Sequence, residues 1–410
     1  MASVGKDLSS ETEARGSRYL VIVVLCSLII VITSIKHVWS VFIPYVEAEF
    51  MVTRSVSVLP FSLLNAANVF GFLSTNYLKE VLGLRKLLAI TAALMSLGLI
   101  LSATSPNVGV LIVSFAFMYG LGHSFGYVLA VSLGVKWFQG RKAGVATGII
   151  VSAYSLGVLT LSPITTYLIQ YFRNWRVPLL IYGAVAFAVM ATSVAVLREP
   201  SQQKVVITPP RLGLAEVIMS KKFTLIATAL FLTTLFDGLI VGNLVPLVEE
   251  MTGVGPMTAS LVMSIYSATA IVSRVVIGAV SEYSSTLRTL AAVYALATTN
   301  ALFFSLYRNL PLIILGTSIS AILFSANITL TPLIASHIWG TENLEAAYGP
   351  LLTAVVCGVL LGPIIGGLSK DLTGRYYPGV TVTAATLLLG TLVLAYTIKY
   401  LHTGASRSSL

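Results

Sequence analysis

The chain has 410 residues, of which 56% are hydrophobic and only 10% are charged, and its formal net charge is +10. A soluble domain carries about 25% charged residues, and a soluble fold has too little interior to bury this much apolar side chain. The composition therefore excludes a disordered chain, a nucleic-acid-binding protein and an ordinary soluble enzyme, and it predicts a protein of the lipid bilayer. We attribute the positive charge to loops on one side of the membrane and not to a nucleic-acid partner.

Apolar runs long enough to cross a bilayer, about 20 residues each, follow one another along the chain. A backbone in lipid must satisfy its own hydrogen bonds, so each run is expected to be a helix. The sequence thus predicts an all-α membrane protein with twelve transmembrane helices. The runs begin near Tyr19, Ser55, Leu87, Val108, Ala143, Pro178, Phe223, Thr258, Thr289, Leu312, Ala346 and Gly379.

The longest polar break, residues 198–222, contains Pro200, Pro209 and Pro210 and divides the chain into two halves of six helices. Most Lys and Arg residues fall in this break, in the tails and in the loops on the same side, which predicts that both chain ends are cytoplasmic. The expected units are an N-terminal tail (1–18), a first bundle (19–197), a central loop (198–222), a second bundle (223–401) and a C-terminal tail (402–410).

The fifth and eleventh helices share a pattern of small residues, which predicts that the second half repeats the first. Ala146, Gly148, Ala153, Gly157, Val158 and Leu159 recur as Ala347, Gly349, Ala354, Gly358, Val359 and Leu360. Glycines four residues apart share a helix face and allow close helix contact. On this ground we interpret Gly144, Gly148, Gly358, Gly362 and Gly366 as packing glycines.

Three charged residues lie deep inside apolar runs: Lys36 in the first, Asp237 in the seventh and Arg274 in the eighth. A charge at the centre of a spanning helix costs about 2.5–3.5 kcal/mol on insertion scales, so each of these residues needs a structural or functional reason.

Arg274 is the strongest candidate for substrate binding, because a guanidinium stays protonated and its planar fork matches a carboxylate. A structural alternative is an ion pair with Asp237 that joins two helices of one half. Asp237 could also hold Arg274 while the site is empty and carry a proton, which makes it the candidate proton-coupling residue. Lys36 either completes the positive site and shares in proton coupling, or extends its ammonium to the membrane surface.

Tyr119, His123 and Tyr127 share one face of the fourth helix. Such a stripe lines a cavity or forms hydrogen bonds between helices, and the residue types do not separate the two interpretations. We take Tyr119 and His123 as candidate substrate-binding residues, together with Tyr154 and Asn327, whose polar side chains lie in other helices.

Several functional classes are disfavoured by what the sequence lacks. It contains no G-x-x-x-x-G-K-[ST] loop for nucleotide phosphates and no spacing typical of a metal site or an activated nucleophile. We therefore expect no cofactor, no metal and no nucleotide, and no enzyme activity. Energy for moving a solute would come from a gradient or from exchange. A receptor built on such a fold is disfavoured because three deep charges would then serve no substrate.

Four features point to one family: the stretch from Lys36 to Glu47, the stretch from Trp137 to Gly148, the position of Arg274, and the stretch from Leu361 to Gly374. Together they resemble the monocarboxylate transporter family of the major facilitator superfamily. The resemblance implies two six-helix bundles with a substrate held between them at the membrane midplane. It also implies that Lys36 takes part in proton-linked transport and that Arg274 binds the substrate carboxylate.

One residue differs from the pattern of this family, and a second family resembles the chain almost as closely. Family members often carry an aspartate where this chain has Ala270, so Asp237 would have to replace it. Oxalate/formate exchangers resemble the chain almost as well, but their second cation is a lysine in helix eleven, and residues 351–368 contain no cation. We therefore expect proton symport of a small monocarboxylate such as lactate or pyruvate, with carboxylate exchange as the alternative. The expected partners are the anion, the proton and the bilayer, and one copy of the chain suffices.

Overall fold

The computed structural model describes residues 19–137, 141–199, 212–340 and 343–407. Within these ranges every regular element is a helix, and twelve helices are long and apolar enough to cross a membrane. The predicted all-α fold with twelve spanning helices is confirmed. The predicted tail 1–18, residues 200–211 of the predicted central loop and residues 408–410 lie outside the described residues.

The membrane-crossing segments alternate in direction through the two halves. In the first half they are α1 (Tyr19–Phe50), α2 (Arg54–Thr75), α3 (Leu84–Ala103), α4 (Val108–Gly134), α5 (Gly148–Phe172) and α6 (Arg176–Val196). In the second half they are α7 (Lys221–Thr252), α8 (Pro256–Ser281), α9 (Thr286–Phe304), α10 (Leu310–Trp339), α11 (Ala347–Thr373) and α12 (Tyr377–Leu401). The helical backbone continues beyond several of these bounds, to Leu82 in α2, from Arg141 in α5, to Tyr283 in α8, from Leu344 in α11 and to Arg407 in α12.

Twelve crossings return the chain to the side on which it started. Residues 19 and 407, the first and last described, therefore lie on the same side, which we call the tail side, and the opposite side is the far side. A short helix, Leu214–Ile218, lies on the tail side between the two halves of the sequence.

Local signals in the sequence explain where several helices begin and end. The side chains of Asn107, Ser220 and Asn309 accept hydrogen bonds from backbone N–H groups in the first turns of α4, α7 and α10, at 3.0, 3.2 and 3.0 Å. Such caps satisfy donors that the helix itself leaves free. Gly253 and Gly374 end α7 and α11 with φ of +70° and +74°, a left-handed conformation that glycine adopts without a Cβ clash.

The predicted repeat is visible in the packing of α5 and α11. A Cβ added to Gly157 of α5 would collide with Ser34 of α1, and a Cβ added to Gly358 of α11 would collide with Thr234 of α7. The two hydroxyls also behave alike, since Ser34 Oγ donates to the carbonyl of the residue three before it and Thr234 Oγ1 does the same. The fifth helix of each half thus packs on the first through an equivalent glycine.

Of the other glycines predicted to pack against a neighbouring helix, some do so and one does not. Gly362 and Gly366 are packing positions, because an added Cβ would press on the backbone of Leu235 and Leu239 and on the side chain of Asn243, respectively. The interpretation of Gly148 was wrong, because among the described residues nothing lies within 4 Å of a Cβ built there. Gly148 lies at the tail-side end of α5 and is exposed. The surroundings of Gly144 lie outside the described residues.

The two halves are joined at the far side by a cluster that we call the far-side latch, made of Arg54, Asp371, Tyr376 and Glu47. The carboxylate of Asp371 in α11 accepts hydrogen bonds from the backbone N–H groups of Arg54 and Ser55, at 2.7 and 2.9 Å. These two donors belong to the first turn of α2, so a side chain from one half caps a helix of the other. The Arg54 guanidinium bonds Glu47 in its own half and the hydroxyl of Tyr376 in the other.

A second junction runs between α5 and α8. Ser264 Oγ donates to the carbonyl oxygen of Leu159 at 2.6 Å, and Ser267 Oγ donates to that of Ser155 at 2.8 Å. Serines suit this position because their small side chains allow helices to approach closely and still form hydrogen bonds between them. The halves are therefore connected along one flank as well as at the far side.

Candidate functional site

A cavity of about 390 Å³ lies between the two halves. Its walls come from α1, α2, α4 and α5 on one side and from α8, α10 and α11 on the other. The lining reaches Tyr348 near the tail-side start of α11, whereas the far-side latch closes the opposite end. The cavity therefore occupies the middle and the tail-side half of the bundle.

The two walls differ in chemistry. The first half contributes mostly polar side chains: Lys36, His37, Asn65, Asn68, His123, Tyr127 and Tyr154. The second half contributes Arg274, Thr329 and Tyr348 and an otherwise apolar surface: Phe324, Ile328, Leu352, Val355, Val356 and Val359. A mostly apolar pocket with a few convergent polar groups is typical of a small-molecule site.

Arg274 lies in this cavity and joins the two halves. Its Nη1 donates to Ser155 Oγ of α5 at 3.2 Å, and its buried Nε has no hydrogen-bond partner in the part of the chain that the structure describes. Among the described residues the guanidinium forms no ion pair. A permanent charge inside a membrane protein with unused donors facing a cavity is suited to bind an anion.

Lys36 lies in the same cavity, in a 3₁₀ turn, Ser34–Val38, that interrupts α1. Its Nζ donates to Asn65 Oδ1 at 3.0 Å, and Asn65 is held in turn by a bond from its Nδ2 to the Phe61 carbonyl at 2.8 Å. Its ammonium therefore points across to α2 and does not extend to the membrane surface. Lys36, like Arg274, has no carboxylate partner among the described residues.

Tyr119 does not line the cavity, contrary to the interpretation of it as a substrate-binding residue. It is fully buried, and its hydroxyl donates to the carbonyl oxygens of Ile32 and Thr33 at 2.8 and 3.2 Å. These carbonyls belong to the turn where α1 changes from α to 3₁₀ geometry, and Tyr119 itself ends a π-helical stretch of α4, Val113–Tyr119. The side chain satisfies backbone acceptors at an irregular turn.

Asp237 also lies outside the cavity lining, between α7, α8 and α10. It is fully buried, and its Oδ1 accepts hydrogen bonds from Tyr266 and Ser320 at 2.9 and 2.7 Å. Its Oδ2 has no partner, and the ion pair with Arg274 that the sequence suggested is absent from the described residues. The acid is held by hydroxyls and not by a cation.

Asn327, another candidate from the sequence, likewise falls outside the cavity lining. Its Oδ1 accepts a hydrogen bond from the Tyr294 hydroxyl of α9 at 2.7 Å, and it is fully buried in α10. This contact joins α9 to α10, so the residue acts in helix packing.

His123 and Tyr154, the remaining candidates, both line the cavity within a group of aromatic rings. The His123 ring lies parallel to that of Tyr127, with centroids 6.5 Å apart, and meets the ring of Tyr154 edge-on at 6.4 Å. Tyr154 in turn contacts His37 at 5.5 Å. Both ring nitrogens of His123 are buried, and neither has a hydrogen-bond partner in the described ranges.

Sequence reasoning missed part of the lining. His37 lines the cavity but was not among the candidate residues, although a histidine next to a deep charge was itself a signal. The apolar wall of α11 carried no signal at all, because valine and leucine are equally suited to face lipid.

The sequence matches the family model described as Major Facilitator Superfamily over residues 24–291. An uncharacterized MFS-type transporter of Escherichia coli (strain K12), YhjX, is 25% identical over 320 residues, covering 76% of this chain and 79% of that protein. Monocarboxylate transporter 12 of Xenopus laevis is 27% identical over 325 residues, covering 72% and 69%. The oxalate:formate antiporter of Oxalobacter formigenes is 21% identical over 370 residues, covering 88% and 86%.

Solved structures show the same architecture. A bacterial homologue of the human lysosomal transporter Spinster, in an inward-facing and unoccupied conformation, matches with a TM-score of 0.75 and 15% identity, covering 93% of this chain and 96% of that one. The nucleoside transporter NupG matches with a TM-score of 0.77 and 11% identity, covering 92% and 99%. At these identities the likeness concerns the fold alone. From the family model, its relatives and its twelve spanning helices, we conclude that the chain is a multi-pass membrane transporter, not an enzyme, and belongs to the Major Facilitator Superfamily.

Proposed function

We propose that the protein is a secondary active transporter that carries a small monocarboxylate of the lactate or pyruvate kind together with a proton. The observation that carries the proposal is the pair of cations in the cavity, Lys36 from the first half and Arg274 from the second. Neither has a carboxylate partner among the described residues, so the anion would supply one. Relatives named monocarboxylate transporter 12 support the same substrate class.

Exchange of carboxylates is the second candidate, and the relative named oxalate:formate antiporter supports it. Lys36 and Arg274 stand on opposite walls and could hold the two ends of a dianion. Against it, the wall that α11 gives to the cavity is apolar apart from Tyr348, with Leu352, Val355, Val356 and Val359. An apolar wall is suited to the uncharged end of a monocarboxylate and would leave a second carboxylate partly unpaired.

Electrostatics supports proton symport over transport of the anion alone. A carboxylate that moves with a proton carries no net charge, so the membrane potential does not oppose its transport. With both chain ends in the cytoplasm, as the distribution of Lys and Arg favours, the cavity lies towards the cytoplasmic side of the membrane. Uptake of radiolabelled lactate into proteoliposomes tests the proposal, with and without an inward proton gradient. Uptake driven by the gradient supports symport, whereas uptake only into vesicles preloaded with a second carboxylate means exchange.

Asp237 is the proposed proton carrier. A fully buried carboxylate without a cation is costly to keep ionised, and its free Oδ2 is the atom that a proton would occupy. We expect Asp237→Asn to reduce gradient-driven lactate accumulation by about tenfold, a change of about 1.4 kcal/mol in driving force, because the amide cannot release a proton. Counterflow of lactate between equal pools needs no net proton movement and should change by less than about twofold.

The control adds Asn327→Asp to the Asp237→Asn protein, which places an acid of the same size in a second buried position of the same half. This double variant should accumulate no more lactate than Asp237→Asn alone. Gradient-driven accumulation that survives in Asp237→Asn at the wild-type level would exclude Asp237 as the proton carrier and leave Lys36 as the candidate.

Transport by alternating access requires the far-side latch to open. Asp371→Ala removes the acceptor for two backbone N–H groups of α2, and loss of such a cap costs about 1 kcal/mol. We therefore expect the population open to the far side to rise about fivefold. The measurement is labelling of Val356→Cys by a membrane-impermeant thiol reagent applied from the far side, in a protein that lacks Cys26 and Cys357. Unchanged far-side labelling would show that Asp371 does not hold the closed state.

A further inference from the structure

His123 is a buried polar group without a partner. It is only 2% exposed, it lines the cavity, and neither ring nitrogen makes a hydrogen bond within the described residues. Buried nitrogens of this kind are nearly always bonded, because burial removes their bonds to water. His123 is an exception, and it lines a cavity, so a molecule bound in the cavity would supply the missing hydrogen bond.

The neighbouring rings fix the position of His123. Tyr127 lies parallel to it, Tyr154 meets it edge-on, and Phe72 and Tyr119 lie at 6.4 and 6.3 Å. These four contacts leave the imidazole little freedom to rotate towards another protein group. A side chain held in this way is preorganised for a ligand.

His123 lines the same cavity as Lys36 and Arg274, the two cations of the proposed carboxylate site. Its ring meets that of Tyr154, which also contacts His37, the residue that follows Lys36. A small anion bound at Arg274 therefore has the polar wall of α4 and α5 beside it and the apolar wall of α10 and α11 on the other side.

We propose that His123 is a specificity-determining residue that forms a hydrogen bond with a second oxygen of the substrate, next to the carboxylate. A neutral imidazole has one N–H donor and one acceptor nitrogen, so it can bond an oxo group or a hydroxyl group equally. The preferred substrates are then 2-oxo and 2-hydroxy monocarboxylates, and unsubstituted acids of the same length bind weakly. This inference rests on the proposed function, because it assumes a carboxylate at Arg274.

The test compares lactate, pyruvate and propionate as competitors of labelled lactate counterflow in proteoliposomes. For the wild-type protein we expect lactate and pyruvate to compete at least about tenfold better than propionate, because a site built to bond an oxygen rejects an analogue that lacks it. In His123→Phe, which keeps a ring of similar shape, this ratio should fall to near one through weaker binding of lactate and pyruvate. His123→Gln, which keeps a donor and an acceptor, should retain part of the ratio.

Tyr171→Phe is the control, because it removes the hydroxyl of an exposed tyrosine of α5 that lies outside the cavity lining; its ratio should stay at the wild-type value. A wild-type ratio near one, or a His123→Phe ratio equal to that of the wild type, overturns the inference while leaving monocarboxylate transport intact. Absence of labelled lactate counterflow with the wild-type protein would instead contradict the proposed function itself. Loss of the ratio in His123→Gln as complete as in His123→Phe would mean that hydrogen-bonding capacity at this position does not carry the preference, and would also overturn the inference.

Discussion

Arg274→Ala is expected to reduce transport of every monocarboxylate by about a hundredfold or more. Removing one partner of a buried, hydrogen-bonded charge pair costs about 2–5 kcal/mol, and about 3 kcal/mol corresponds to a hundredfold change in affinity. Arg274 is the one cation that the second half contributes to the described cavity lining, and Lys36 alone would have to hold the anion. The measurement is lactate counterflow in proteoliposomes, which responds to substrate binding and not to the proton gradient.

Arg274→Lys should recover only a small part of this loss. Lysine keeps the charge but presents a point charge where the guanidinium offers a planar fork. The control is Arg308→Ala, which removes an arginine of the same half that packs on the Tyr377 ring at the far surface, away from the cavity. Its counterflow should stay within about twofold of the wild-type rate, since exposed charges contribute little. Counterflow in Arg274→Ala within a few-fold of the wild type would mean that the anion does not bind at this residue.

The charged part of the candidate site was accessible from sequence because lipid itself restricts where charges lie. A permanent cation in the middle of a spanning helix must face water, a cavity or a partner, and the structure brings Lys36 and Arg274 into one cavity. The polar uncharged residues were less predictable. Tyr119 and Tyr127 share a helix face, yet Tyr119 bonds the backbone of α1 whereas Tyr127 faces the cavity.

Helical periodicity predicts on which face of its helix a residue lies, but it does not predict which other helix packs against that face. Tyr119 meets α1 at a 3₁₀ turn with carbonyls to satisfy, and nothing in the residues 34–38 predicts that turn. The same holds for Asp237. Its position deep inside a spanning helix was evident from the sequence, but its hydrogen-bond partners Tyr266 and Ser320 come from two other helices. A pairing between distant helices follows from the three-dimensional packing and leaves no local pattern.

Gly362→Val is expected to destabilise the fold strongly, the largest effect on stability predicted for the chain. A Cβ at this position would approach the backbone of α7 at Leu235, Leu239 and Gly238, inside ordinary contact distance. Backbone cannot rotate away as a flexible side chain can, so α7 and α11 would have to separate along their crossing. Overpacking of a well-packed core costs about 1–3 kcal/mol and occasionally more, and we expect a cost at or above the upper end of this range.

The matched variant is Gly349→Val in the same helix, where nothing lies within 4 Å of an added Cβ. Both variants introduce the same β-branched residue into α11, so the intrinsic helix preference changes equally and only the contact with α7 differs. Thermal unfolding of the purified proteins in detergent should show a strongly lowered midpoint for Gly362→Val and a nearly unchanged one for Gly349→Val. Equal midpoints would mean that α7 and α11 do not approach at Gly362, and that the glycines four residues apart are not what brings these two helices together.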